Sequence, residues 1–117
     1  MNRTDLEGYI SETYSVSGEH LFVRYPSFKV FRHLGNKKWF ALIMDIPRKN
    51  LGLDGEDEIS VVNIKCDNQL IGSLRAEPGI FPGWHMNKAH WITAALDGTV
   101  DGDMLKFLLN MSYELTK

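Results

Sequence analysis

Cysteine is nearly absent: Cys66 is the only one among 117 residues. A single thiol cannot close an internal disulfide, and it rules out a four-cysteine zinc site. No apolar run reaches the ~18 residues that a membrane-spanning helix needs. The opening stretch Met1 to Asp5 holds no apolar leader. These absences point to a reducing cytoplasm, with no membrane partner. Charge of one sign is also missing. Thirteen Lys and Arg stand against fifteen Asp and Glu, a formal net charge of -2, so bulk electrostatics does not announce a nucleic-acid partner. There is no glycine-rich phosphate loop, serine nucleophile elbow or paired-carboxylate motif. No catalytic residue is therefore assigned and no cofactor is expected. The acidic run Asp54 to Glu58 fails the spacing of a calcium loop and reads as a solvated charge run.

What is present describes a globular protein. Hydrophobic residues make up 44% and charged residues 24%, close to the globular average. A chain of this length buries roughly two thirds of its unfolded surface, enough for one domain over residues 1–117, expected as a monomer. Thr4 followed by Glu7 fits a capping box, and Leu6, Tyr9, Ile10, Thr13 and Tyr14 recur at helical spacing, predicting a helix over about 5–14. Short strands are predicted at Leu21–Val23 and over Phe28 to Leu34. The apolar run from Lys38 to Ile46 reads as a central strand covered on both faces. Pro47 to Glu58 is a long polar connection.

The alternation from Ile59 to Cys66 puts Val62, Ile64 and Cys66 on one face and Val61, Asn63 and Lys65 on the other. Asp67 is a candidate cap for a helix to about Ala76. Two prolines and two glycines in Pro78 to Gly83 argue against regular structure there. Trp91 to Leu96 returns to a strand. Asp101 caps a last helix, with Met104, Leu108, Met111 and Leu115 as its buried stripe and Leu105, Leu109 and Phe107 widening it. The element order implies an α+β fold, an antiparallel sheet with helices packed on one face.

Four segments carry a resemblance. They are Asn63 to Asp67, Gly79 followed by His85 to Thr93, Leu96-Asp97-Gly98, and Ser112 to Leu115. Together they resemble the pattern of the MmcQ/YjbR family, and His85 to Trp91 is the most specific part. The resemblance implies a CyaY/frataxin-like sandwich. It also implies a DNA-binding role through strand-and-loop wings, while the antibiotic-resistance context of the family's name hints at a drug or other small-molecule ligand. Frataxin's acidic iron-binding ridge is not carried over, because the first helix offers only Asp5, Glu7 and Glu12.

The densest set of reactive side chains is His85, Asn87, Lys88, His90 and Trp91, preceded by Phe81 and Trp84. Imidazoles titrate near neutrality and the aromatic rings can stack on a flat ligand or a base. Trp84, His85, Asn87, His90 and Trp91 are the candidate ligand-binding residues, around a pocket between the sheet and the Phe81–Trp91 loop. The competing reading has the same loop packing Trp84, Met86 and Trp91 against the sheet, with His85, Asn87 and His90 satisfying backbone groups. His85 and His90 are five apart with no carboxylate between them, a poor metal pair, and acid–base catalysis by either is the weakest reading. Cys66 ends a buried strand face, where thiols are mostly inert.

The case for DNA rests on the stretch from Arg24 to Lys49, where seven bases face Asp45 alone, a local balance of +6. Lys37, Lys38, Arg48, Lys49, Lys65 and Lys88 are the candidate phosphate contacts. Lys37 and Lys38 sit at a hairpin tip, and Arg48 and Lys49 begin a loop at the far end of the same strand. The two pairs are thus roughly 25–30 Å apart at ~3.3 Å per residue, separate wings with no compact patch between them. Scattered surface bases that merely aid solubility are the alternative.

Overall fold

A computed structural model describes the chain from Met1 to Lys117. Its strands are β1 (Lys29–Arg32), β2 (Trp39–Pro47), β3 (Glu58–Lys65), β4 (Ile80–Pro82) and β5 (Trp91–Ala95), and its helices are α1 (Arg3–Tyr14), α2 (Ile71–Arg75) and α3 (Gly102–Leu115). The strands form one sheet in the order β1-β2-β3-β5-β4, with every neighbouring pair antiparallel. The α+β class with helices on one sheet face is as expected. No helix is long and apolar enough to cross a membrane.

Strand alternation divides the buried side chains into two cores. Phe31, Ala41, Ile43, Val62, Ile64 and Ile92 meet Leu6 and Ile10 of α1 and Leu105, Leu108 and Leu109 of α3. On the opposite face Val30, Leu42, Met44, Ile46, Ile59 and Val61 meet loop residues, among them Phe22, Phe28, Leu51 and Trp84. β2 serves both cores, so Phe40 to Met44 are all buried. A bulge offsets the near end of the strand: Phe31 faces Ala41 but Arg32 faces Trp39. Phe40, left without a partner, joins Ala41 in the helix-side core and Trp39 turns to the loop side.

Several local expectations are corrected. The α1 cap is the reciprocal pair Asn2 and Asp5, with no part for Thr4. Glu7 is instead drawn into ion pairs with Arg3 and Lys29. Leu21–Val23 forms no strand; the neighbouring chain touches the sheet through the single bridge Glu19–Val30 and then turns, Tyr25 N–H donating to Phe22 O. Ile80–Pro82 is a strand despite its prolines and glycines, because it lies at the sheet edge, where a residue without an N–H costs no ladder bond. Gly79 supplies the left-handed turn that enters it (φ 83°). The α3 stripe is rotated: Leu105, Leu108, Leu109 and Ser112 are buried, whereas Phe107 and Leu115 are 54% and 43% exposed. Ser112 decides that rotation. Its hydroxyl donates to Phe40 O and accepts from Lys65 N–H, so one polar side chain stitches the helix to two strands.

Candidate functional site

Phe81 within the edge strand and Trp84 just beyond it pack on the loop face. Gly83 is buried against β5, and a Cβ there would meet the Trp91 backbone oxygen at 2.8 Å, so only glycine lets the chain pass so close. Beyond it, Met86 N–H donates to Gly83 O and His85 takes the left-handed conformation, φ 57°. That conformation is uncommon for a side-chain-bearing residue and persists only where the surroundings impose it.

The surroundings are a closed cycle of buried polar groups. The Thr93 hydroxyl donates to Asn63 Oδ1 and accepts from Trp84 N–H at 2.9 Å, while Asn63 Nδ2 donates to Trp84 O at 3.0 Å. Asn63 and Thr93 are fully buried and sit opposite each other on β3 and β5. Both backbone groups of Trp84 are therefore fixed by the sheet, and its indole is presented above the loop face. The His85 ring stacks on it at 3.9 Å between centroids and 21° between planes.

Trp84 forms one wall of a cavity of about 340 Å³. The other walls are Phe22, Tyr25 and Phe28 from the loop ahead of β1, Trp39, Leu42 and Met44 from β2, and His85 and Met86. The rings brace one another: Phe22 stands edge-on to Phe28 and Trp39, Tyr25 stacks on Phe28, and Phe28 meets Trp84 edge-on. Size and lining match those of small-molecule sites, which are mostly apolar with a few polar groups. The polar groups here are the two indole N–H groups, the Tyr25 hydroxyl and the His85 imidazole, and no lining residue carries a carboxylate. A hollow of similar size lies on the helix side, beside the turn that joins β1 to β2, between Tyr14, His33 and Tyr113. Its rings already stack on one another, Tyr14 on Tyr113 at 4.2 Å, and His33 is tied to the Thr116 hydroxyl.

The structure separates the five residues singled out as ligand contacts. Trp84 and His85 line the cavity. Asn87 closes its own turn, its side chain accepting from Ala89 N–H and its carbonyl from His90 and Trp91 N–H. His90 Nδ1 meets Asn68 Oδ1, and its carbonyl accepts from Cys66 N–H. Trp91 pairs with Lys65 across β3 and β5. Asn87 thus satisfies backbone groups of its own turn, as the second reading of the loop has it, and the His90 ring bonds a side chain, while Trp84 and His85 border the cavity. Sequence reasoning missed Phe22, Tyr25, Phe28, Trp39, Leu42, Met44 and Met86. A signal existed in the first three, aromatic at every third position of a segment otherwise rich in turns. Cys66 is buried, and burial, with Asp67 adding and Arg75 opposing, pushes its thiol up, away from the reactive thiolate.

The YjbR family model matches residues 11–115. The chain belongs to the YjbR family. It is 38% identical to the uncharacterized protein YyaQ of Bacillus subtilis over 117 residues, 100% of this chain and 99% of that one. It is 35% identical to the uncharacterized protein YjbR of Escherichia coli K12 over 54 residues, 45% and 46% of the two chains. Among solved structures, a Pseudomonas syringae protein superposes with a TM-score of 0.98 at 40% identity over the whole of both chains. A Deinococcus radiodurans protein of the DUF419 domain family does so with 0.73 at 30% identity, over 97% of this chain and 77% of that one. The YjbR fold seen here is thus shared with experimentally determined relatives.

Proposed function

We propose that this YjbR-family protein binds a small, flat, largely apolar molecule in the aromatic cavity on the loop face. The observation that carries the reading is the lining itself: of nine residues around about 340 Å³, only His85 is not hydrophobic, and the sheet fixes Trp84 at the rim through Asn63 and Thr93. A thermal-shift panel of planar aromatic compounds tests it. A ligand at 100 times its Kd adds about 2.7 kcal/mol, roughly 10 °C for a domain of this size. Trp84→Ala should abolish the shift. A panel without any shift, or a shift that Trp84→Ala leaves intact, would sink the reading.

Contact with duplex DNA is the second reading. Lys37, Lys38, Lys49, Lys65 and Lys88 take part in none of the six ion pairs, whereas Arg48 is bound to Asp57 at 3.0 Å. It ranks second because the bases do not converge: Lys37–Lys38 and Arg48–Lys49 flank the two ends of β2. Affinity falling linearly in log salt would support it, and no binding at low salt would end it. Either reading suits a reducing cytoplasm, where the free Cys66 stays a thiol.

A further inference from the structure

Trp84 has a second neighbour. A smaller hollow of about 190 Å³ is lined by Asn50, Leu51, Phe81, Pro82, Trp84 and Lys88. The indole is thus a wall common to the large aromatic cavity and to a small one that contains a lysine. We propose that the ligand is an aromatic molecule bearing an anionic group, its rings in the large cavity and its anion held by Lys88 in the small hollow. The proposal rests on the reading of the large cavity as a ligand site.

Three observations support it. First, neither lining contains Asp or Glu. An aromatic cage can also hold a cation, but a cation here would meet a lysine and no carboxylate. Second, Lys88 is fixed at its backbone and free at its tip. The Arg75 guanidinium donates to Lys88 O, and the Asn87 side chain and carbonyl close the turn on either side, while the ammonium joins no ion pair within the chain. Third, the other walls of the hollow are mostly apolar. Leu51, Phe81 and Trp84 shield one side of an anion paired with Lys88, whose own side chain is exposed. Asn50, on the 3-10 turn Arg48–Leu51, adds amide donors to the same hollow. Carboxylate, sulfonate and phosphate share the required chemistry.

A matched pair of fluorescent probes tests this. 8-Anilinonaphthalene-1-sulfonate and N-phenyl-1-naphthylamine share the same rings, and only the first carries an anion. Binding is read from probe emission on tryptophan excitation, since Trp39 and Trp84 line the cavity. The sulfonate probe should bind wild-type protein about tenfold more tightly than the neutral one. Lys88→Ala should remove most of that preference and Lys88→Glu should reverse it, while the neutral probe changes less than about twofold. Added salt should weaken the sulfonate probe alone. Equal binding of both probes to wild type, or equal weakening of both by Lys88→Ala, overturns the role of Lys88. Failure of both probes to bind, or binding of both that Trp84→Ala leaves unchanged, overturns the cavity reading underneath it. A bound carboxylate or phosphate homologue of the neutral probe, compared in the same way, then separates the anion types.

Discussion

The two faces of the sheet draw on alternate residues of the same strands, yet they are finished differently. The helix side is mostly aliphatic, apart from Phe31 and the ring group of Phe40, Tyr14 and Tyr113. Ile43, Val62, Ile64 and Ile92 pack against Ile10, Leu108 and Leu109, all 2% exposed or less. The loop side is aromatic, with Phe22, Phe28, Trp39 and Trp84 laid over Leu42, Met44 and Val61, and it contains the large cavity. Helices present side chains in regular rows that fill the grooves of a sheet. Loops must first satisfy their own backbone, and they cover the sheet with a few large rings braced edge to face. Rings that brace one another leave space between them. The loop side thus encloses its space among braced rings over the sheet, whereas the hollow of the helix side lies beside Tyr14 and Tyr113, away from the aliphatic packing of Ile43 and Val62.

Truncation on each side gives the largest contrast. Ile43→Ala should cost about 4 kcal/mol, because Ile43 is fully buried and its neighbours can close the void only in part. Trp39→Ala removes far more volume, yet should cost only about 1–2 kcal/mol, since its ring is half-buried and borders existing space. Urea denaturation of both variants measures this, and equal losses would erase the distinction between a filled and an unfilled face.

A smaller effect tests what holds the loop side in place. Thr93→Val keeps the shape but removes the hydroxyl that serves both Asn63 and Trp84. Leaving those buried groups short of a partner should cost about 2 kcal/mol, and hydrogen exchange should show the Trp84 amide losing protection before the β2–β3 ladder does. Protection lost equally in both places would mean the loop has no independent anchor.

The smallest effect tests the rim where α1 meets the sheet. Burial pushes the Glu7 carboxyl up, but hydrogen bonds and charge from Lys29 and Arg3 outweigh it, and the net shift is downward. A depressed carboxyl pKa contributes stability that is present above the ordinary carboxylate range and lost as pH falls through the depressed value. Glu7→Gln should therefore cost about 1 kcal/mol at neutral pH, a modest figure because the pair is only partly buried. The gap from wild type should narrow as pH falls through the depressed value and close below it. A gap unchanged in acid would show that Glu7 acts by packing alone.

The helix side was largely legible in the residues. Val62, Ile64 and Cys66 alternate as buried neighbours, β2 is apolar throughout its middle, and Asp101 caps α3 by accepting from Met104 N–H. Local pattern failed where a polar residue took a buried post. Ser112 looks like a surface residue, yet it sets the rotation of α3 by bonding to Phe40 O and Lys65 N–H. On the loop side Trp84 and His85 stood out as reactive types, but nothing nearby in sequence connects them to Phe22, Tyr25 or Trp39.

The order of apolar and polar residues along this chain determined by itself most of the strands and helices, though not the edge strand Ile80–Pro82, because period 2 and period 3.6 are local properties of the backbone. It also determined membership of the family through the segments around Asn63, His85 and Ser112. Only tertiary structure decided that Phe22, Trp39 and Trp84, dozens of residues apart, enclose one space. It decided too that Asn87 and His90 turn to bonds within their own neighbourhood while His85 faces that space. Side chains from separate loops meet only after the sheet has set their distances, and no periodicity within any one loop encodes that meeting.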